Sequence, residues 1–448
     1  MLSDAELSIL TAFYFLSLGV ILSLAYGSFK RERFSFHLLF TLTYLLVFYL
    51  GFPFSLALSF GFDIGLNSFD ILLKTLLVST VFYVIYYTTY KIRLLPVKKT
   101  QTIMASHAEF NSVTEAKITA FLLLAVSLAA MFYFLSVNGL LLFKLDGYNQ
   151  IFSAQVNAVA LKRFFYFFIP ALLILYFLYP NKKMWWGFLF IGVVLGALSY
   201  LSIGGTRSNL ALVIALFVFI GIAQGYVSIP TLLAVGIAGI GVMFVLAMRR
   251  YGLSLSDNKA LYYFLQLTRD TFSPWEHLSQ ILAYKNVAYQ NLTPIIRDFY
   301  VYIPKSIWFD RPDLILNTAN YFTWEIRHYY AGLALSPTLI GSFYIMGGIP
   351  LVLMGAVFTG LIMKGFDGLY FYAKQAVFRN KQAVFQAYCF ANIFTIVVLV
   401  REGLDAFVSR FVFFNIVFFI CYFAAKLMAS VLARTGFVSI TTKGKEND

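Results

Sequence analysis

Apolar runs of about twenty residues dominate the chain, and short polar connections separate them. A helix of this length crosses the hydrocarbon core of a bilayer. Because every backbone amide in lipid needs a partner within its own segment, the runs predict helices. About eleven of them predict an all-α fold, a polytopic membrane helical bundle. The predicted spans are 7–26, 36–54, 71–90, 118–137, 164–179, 185–203, 210–223, 230–247, 339–363, 383–400 and 411–432.

One long polar stretch, residues 248–336, interrupts this alternation. The chain is therefore predicted to contain eight spans in 1–247, one large loop with short helices in 248–336, and three spans with a polar tail in 337–448. The loop holds adjacent Arg and Asp residues with tryptophans between them. A membrane protein that concentrates its polar chemistry in one loop is expected to use that loop for its function.

The short connections predict the orientation, because an excess of Lys and Arg marks the cytoplasmic side. One alternating set is basic, whereas the connection around Asp63 and Asp70 in the opposite set has no basic residue. The amino terminus and the large loop are therefore predicted to face outward, and the carboxyl tail inward. The basic set consists of Lys30, Arg31, Arg33, Lys91, Arg93, Lys98, Lys99, Lys182, Lys183, Lys364, Lys374, Arg379 and Lys381.

Composition and charge narrow the class of protein. With 60% hydrophobic and 12% charged residues, the chain has too few charges for a soluble domain of 448 residues. The net charge of +14 is scattered between spans, which favours anionic membrane lipid over nucleic acid as a partner. Cys389 and Cys421 both lie in apolar runs and predict neither a disulfide nor a metal site.

Arginine predominates over lysine on the predicted outer face, whereas lysine predominates on the inner face. Lysine and arginine determine the orientation of membrane spans equally well, but only the planar guanidinium binds phosphate oxygens through two parallel hydrogen bonds. The outer arginines therefore predict a phosphate ligand. The alternative is that they reach lipid headgroups or pair with neighbouring carboxylates. The candidate pyrophosphate-binding residues are Arg207, Arg250, Arg269, Arg297, Arg401 and Arg410.

The aromatic residues of the loop offer flat apolar faces on which sugar rings stack. Trp275, Trp324 and Tyr300 are the candidate sugar-binding residues, and the alternative is an aromatic belt at the membrane interface. Asp310 and Asp313 flank an arginine and make a poor cage for a hard cation, so no metal and no cofactor is predicted.

Several blocks of the chain resemble one known family. The segment 317–325, NTANYFTWE, is one of them. Taken together, they resemble the enterobacterial common antigen polymerases, a group of Wzy-type polysaccharide polymerases, nearly from end to end. The Arg-x10-Gly motifs of some related O-antigen polymerases occur at no arginine here, so their two-loop scheme does not carry over. The blocks are 204–207, 267–276, 294–300, 317–325, 332–341 and 401–410.

The resemblance implies a protein of the bacterial inner membrane that works on its periplasmic side. It implies that trisaccharide repeats carried on undecaprenyl pyrophosphate are joined, and that the growing chain moves from its lipid onto the next lipid-linked unit. The implied partners are a chain-length regulator, also called a polysaccharide co-polymerase, and a flippase for the lipid-linked oligosaccharide.

This chemistry agrees with the residues. Charge that develops on a departing pyrophosphate can be neutralised by fixed cations, which is a task for the arginines. The acceptor hydroxyl benefits from a positioned carboxylate base. Four residues are candidates for that base, without a ranking among them: Asp270, Asp298, Glu325 and Glu402.

Two other functions remain open from the residues alone. A transporter or flippase for the same lipid-linked sugar is expected to carry ionisable groups near the membrane midplane. Here the predicted spans contain only Lys74 and Lys426, both near span ends, which favours the enzyme. A ligase that hands the polymer to another lipid would share the donor chemistry and differ only in its acceptor.

Overall fold

The computed structural model describes residues 2–31, 34–92, 106–144, 156–204, 208–228, 262–266, 269, 273–300, 307–310, 316–330, 334–375 and 379–434, with isolated positions between 230 and 245. This part of the chain is helical and contains no strand, which confirms the all-α prediction. The helices are α1 (Asp4–Arg31), α2 (Phe36–Phe48), α3 (Gly51–Phe62), α4 (Phe69–Lys91), α5 (Ser106–Asn138), α6 (Phe168–Leu178), α7 (Lys182–Ser202), α8 (Ser208–Ala223), α9 (Trp275–Ala283), α10 (Thr293–Tyr300), α11 (Thr318–Tyr321), α12 (Leu339–Gln375), α13 (Arg379–Ala391), α14 (Ile393–Glu402) and α15 (Leu404–Arg434).

The described residues include nine helical segments that are long and apolar enough to cross a membrane. They correspond to nine of the predicted spans, so the chain is a multi-pass membrane protein. The predicted span 210–223 corresponds to a shorter apolar helix, Ser208–Ile222. Most of the predicted span 230–247 lies outside the described residues.

Side-chain caps account for where several helices begin. Ser35 has an extended backbone, and its hydroxyl accepts a hydrogen bond from the Leu38 N–H at the start of α2. Asn181 caps α7 in the same way, accepting from the Met184 N–H. Such caps satisfy amides that the first turn of a helix leaves without a partner.

Helix α12 is broken within its first third. Gly347 and Gly348 have non-helical dihedral angles, and Gly348 has a φ of +64°, a conformation that favours glycine. The loop supplies donors at the break: the Gln290 N–H donates to the Ile345 carbonyl at 3.0 Å, and the Asn291 N–H donates to the Met346 carbonyl at 2.8 Å. The loop therefore satisfies carbonyls that the break releases.

Contacts divide the chain into two compact units. The first consists of 1–96, 233–368 and 393–412, and the second of 97–232, 369–392 and 413–448. In the second unit, α6 packs against α5 and α13, and the Trp185 indole donates to the Phe217 carbonyl at 2.7 Å. In the first unit, α2 packs against α14, and α9 packs against α3 and α4. The predicted three-part division of the chain follows the order of spans and stays a prediction.

Much of the large loop is folded. Ile281, Tyr321, Phe322 and Ile345 form a buried cluster, here called the loop core, which joins α9, α11 and the first turns of α12. After α11 the chain continues as a π-helical turn, Phe322–Ile326. The loop core attaches the short helices of the loop directly to a membrane-spanning helix of the first unit.

Candidate functional site

Trp275 anchors α9 to α3. Its side chain is 1% exposed, and its indole N–H donates to the Ser55 hydroxyl at 3.1 Å. Gly51 allows the close approach, because a Cβ there would lie 2.5 Å from the Ser273 carbonyl oxygen and would overlap the indole. A sugar ring needs an open aromatic face, so the predicted sugar-binding role of Trp275 does not fit its position. The tryptophan packs the loop onto the first unit instead.

Arg269 lies beside this anchor in a buried ion pair. Its guanidinium is 2.6 Å from Glu276 Oε2, and the two side chains are only 11% and 13% exposed. The Ser55 hydroxyl also donates to Glu276 Oε2, at 3.3 Å. The charge of Arg269 is therefore neutralised within the protein, which gives this predicted phosphate ligand a structural role.

A tight turn joins α14 to α15, and we call Glu402, Gly403 and Leu404 the Gly403 turn. Gly403 has a φ of +114°, which strains any other residue, and a Cβ there would lie 2.5 Å from the Ser342 Cβ. The Leu404 N–H donates to the Ser342 hydroxyl at 3.0 Å. Because Ser342 lies in the first turn of α12, the Gly403 turn is fixed against the amino-terminal end of that helix.

Asp405 fixes the loop to the same turn. Its carboxylate is 3% exposed and accepts two hydrogen bonds from Thr318, one from the backbone N–H at 2.9 Å and one from the hydroxyl at 2.8 Å. Thr318 is the first residue of α11, whose N-cap is Asn317. Asp405 thus holds the helical segment that leads to Trp324 and Glu325.

Three charged candidates lie in or beside the Gly403 turn: Glu402 belongs to it, Arg401 directly precedes it, and Arg410 lies on α15. Arg410 donates to Glu402 through two nitrogens, at 2.7 and 3.5 Å, and its guanidinium lies 5.6 Å from the centre of the Phe394 ring. Arg401 differs, because its Nε is buried and has no hydrogen-bond partner among the described residues. The Ser409 hydroxyl, next to Arg410, is also buried without a partner there.

The π-helical turn carries Trp324, which is half-buried, and Glu325, which is exposed. Tyr321, just before it, accepts a hydrogen bond from the Ala288 N–H at 2.9 Å, and burial raises the pKa of its phenol. Tyr321 therefore remains a neutral packing residue at ordinary pH. Within the described part of the chain, no group of three or more His, Cys, Asp or Glu residues could hold a metal ion.

The remaining candidates fall into two groups. Arg297 is half-buried on α10, the helix that also carries Asp298 and Tyr300, whose side chains are not described. Arg207, Arg250 and Asp270 lie outside the described residues. Arg269, Arg297, Arg401, Arg410, Glu325 and Glu402 all belong to the first unit, so the fold brings the loop and the Gly403 turn into one compact body.

Comparison with known families identifies the chain as a whole. The family model described as WzyE protein, O-antigen assembly polymerase, matches residues 2–448. The chain belongs to the WzyE family. It is therefore a polymerase of the enterobacterial common antigen type, a glycosyltransferase that acts on lipid-linked repeat units. No solved structure matches the chain.

A double substitution in this WzyE-family polymerase tests the structural role of Arg269. Glu276→Ala leaves a buried guanidinium without its counter-ion, a change that costs about 3–5 kcal/mol in comparable pairs. We expect this variant to unfold at a clearly lower temperature, and Arg269→Ala/Glu276→Ala to recover part of the loss. Thermal unfolding of the purified proteins measures both. A double variant that is stable yet unable to elongate glycan would show instead that Arg269 acts on the substrate.

The sequence did not indicate the residues that assemble the candidate site of this WzyE-family polymerase. Glu276 and Thr318 lie within two of the blocks that resemble the family, and Ser342 lies just after a third, but the blocks indicate no contact partners for them. The partners of Ser342 and Thr318 are more than sixty positions away. The position of Asp405 gave one indication of a functional role, because it lies with Glu402 in a charged connection between two predicted spans. Its partner in the loop could not be inferred from that position.

Proposed function

We propose that the Gly403 turn is where the polymerase binds the pyrophosphate of its lipid-linked donor. The observation that carries this proposal is the buried Nε of Arg401, which lacks a protein acceptor among the described residues. A buried donor without a partner costs about 1–3 kcal/mol, and more when it is charged. An anionic oxygen at this point removes that cost and makes a charge-assisted hydrogen bond.

Arg410 is the second cation of the proposed site, because its side chain is 39% exposed and, unlike the buried Arg269, stays accessible to a ligand while it is paired. Its pairing with Glu402 and its position over Phe394 restrict the guanidinium to one orientation. A restricted cation stabilises charge that develops in the transition state without reorganising first. Glu402 has both oxygens engaged by Arg410, so we assign it to holding Arg410 rather than to removing a proton.

The reaction needs one proton acceptor. The acceptor hydroxyl oxygen forms a bond to the anomeric carbon of the donor sugar while the bond from that carbon to the pyrophosphate oxygen breaks. The electron pair leaves with the pyrophosphate, and the hydroxyl proton goes to a base. Among the candidates with described side chains, Glu325 is exposed and Glu402 is paired, so we propose Glu325 as the base.

The finer details of substrate and setting belong to the same proposal. The donor is a trisaccharide repeat on undecaprenyl pyrophosphate, and the reaction takes place on the periplasmic face of the inner membrane. The basic short connections support this orientation, with the amino terminus and large loop in the periplasm and the carboxyl tail in the cytoplasm. A chain-length regulator and a flippase that delivers the donor are the proposed protein partners.

Elongation by the purified polymerase tests the assignment of the base. With lipid-linked repeat as the only substrate, Glu325→Gln is expected to lower the elongation rate by about 10²–10⁴-fold, the contribution of general base catalysis. Asp310→Asn is the matched control, since Asp310 is another exposed loop carboxylate. We expect the control to elongate at the unsubstituted rate. Unchanged elongation by Glu325→Gln would remove Glu325 from the mechanism.

A further inference from the structure

Helix α10 leaves one apolar face uncovered. Leu292, immediately before the helix, is 57% exposed, Ile296 is 53% exposed and Phe299 is 36% exposed. Spacings of four and three residues place these side chains on one side of a helix. Pro294, which is buried, falls on the opposite side. The helix therefore packs against the protein on the side of Pro294 and presents the stripe of Leu292, Ile296 and Phe299 on the other side.

The start of α10 is attached to the membrane-spanning α12 well inside the end of that helix. Gln290 and Asn291 donate their backbone N–H groups to Ile345 and Met346, and the Tyr289 hydroxyl packs against Gly348. Met346 stands seven positions after Leu339, the first residue of the membrane-spanning α12. At 1.5 Å per residue, this is about 10 Å inside the end of the helix.

The depth of this contact limits what can cover the apolar stripe. Residues 339–363 contain no charged side chain. The first turns of α12 are buried in the protein, and its exposed apolar side chains begin at Ile349, three positions after Met346, where the helix is suited to lipid. A segment hydrogen-bonded to its second and third turns lies close to the level of lipid headgroups and upper acyl chains. Amphipathic helices bury their apolar face about 5–10 Å into this layer.

We propose that α10 is an interfacial helix whose face of Leu292, Ile296 and Phe299 lies in the outer lipid layer of the membrane. The partner is the bilayer itself. Removal of these side chains from water stabilises the arrangement in proportion to the apolar area covered. The carbonyl contacts at the break of α12 hold the helix at a constant depth.

An interfacial α10 also places Arg297 near the lipid phosphate groups, and the role inferred from this position rests on the proposed function. Arg297 follows Ile296 directly and points about 100° away from it around the helix. A side chain next to a lipid-immersed residue reaches the level of the phosphate groups, where a long cationic side chain settles. The pyrophosphate of a lipid-linked donor lies at this level, which places Arg297 where it can contact the donor.

An environment-sensitive probe tests the depth of α10 without any donor or elongation readout, so its result is separable from that of the proposed function. Both native cysteines, Cys389 and Cys421, are buried and are replaced by alanine. Single cysteines at Ile296 and Phe299 then carry a nitrobenzoxadiazole label, and the protein is reconstituted in vesicles of phosphatidylethanolamine and phosphatidylglycerol. Met354→Cys, at an exposed position in α12, is the lipid-facing control, and Lys285→Cys, in an exposed turn, is the water-facing control.

The labels at 296 and 299 are expected to behave like the label at 354. Lipids with brominated acyl chains should quench them several-fold more than the label at 285, and aqueous iodide should quench them less. If iodide quenches the labels at 296 and 299 as strongly as the label at 285, the helix faces water and the proposal is wrong. Shielding from both quenchers would mean that protein covers the face, which also overturns the proposal.

Discussion

Arg401→Ala is expected to lower the elongation rate of the purified polymerase by about 10²–10³-fold, the loss typical of removing one donor that stabilises developing negative charge. The reason is the position of the guanidinium, whose buried Nε has no protein acceptor among the described residues. The matched control is Arg327→Ala, which removes an exposed loop arginine and should leave the rate within a factor of two or so. Elongation of lipid-linked repeat, followed by the length and amount of glycan, measures both.

Arg401→Lys separates charge from geometry. Lysine keeps the positive charge but has no Nε donor and cannot offer two parallel hydrogen bonds to phosphate oxygens. We therefore expect Arg401→Lys to stay closer to the alanine variant than to the unsubstituted protein, and to bind a polyprenyl pyrophosphate more weakly. Full activity with lysine would mean that only charge is needed there, and full activity with alanine would place the pyrophosphate elsewhere.

Asp405→Ala is expected to lower both stability and elongation. Thr318 is fully buried, and the loss of the carboxylate leaves its N–H and its hydroxyl without acceptors. Each unsatisfied buried group costs about 1–3 kcal/mol, so the thermal unfolding temperature should fall clearly. Elongation should fall further than stability accounts for, because the segment that carries Glu325 is released from the Gly403 turn.

Asp405→Asn is the matched control for the geometry of this clamp. The asparagine oxygen can accept from the Thr318 N–H, and its amide can donate to the Thr318 hydroxyl, which then acts as the acceptor. We expect this variant to retain most of its stability and activity, and Thr318→Val to lose about half of the stability that Asp405→Ala loses. An Asp405→Ala protein with unchanged unfolding temperature would contradict the clamp.

The membrane-spanning helices were predictable because the length and composition of each apolar run determine its helical structure locally. A span such as Asp4–Arg31 must be helical wherever it packs, since lipid offers its amides no other partner. The short helix Ser208–Ile222 was predicted for the same reason. The break in α12 was not predicted, although Gly347, Gly348 and Pro350 stand in the sequence. Its stability depends on donors from Gln290 and Asn291, more than fifty positions away.

The candidate site was predictable only as a list of residue types. An excess of outer arginines indicates a phosphate ligand, but it does not tell which guanidinium is already neutralised. Arg269 and Arg401 are alike in sequence, each with an acidic residue next to it. The structure separates them, since Arg269 is paired with Glu276 whereas the Nε of Arg401 has no partner in the described chain.

The aromatic residues show the same limit. Trp275 was expected to face a sugar, and it is buried against Ser55 because Gly51 leaves room for it. A tryptophan in a polar loop can expose its ring or bury it as an anchor. Which of the two occurs here depends on Gly51, a small residue more than two hundred positions away.

By itself, the sequence determined that this chain is a helical multi-pass membrane protein of the WzyE family with a polar loop rich in arginine. Hydrophobic length, short-range capping and family blocks are all local properties, so they can be read without a fold. The tertiary structure alone decided that Asp405 holds Thr318, that Ser342 supports the Gly403 turn, and which arginine charges are already paired. Those outcomes depend on contacts between distant segments, whose energies arise only when packing removes polar groups from water.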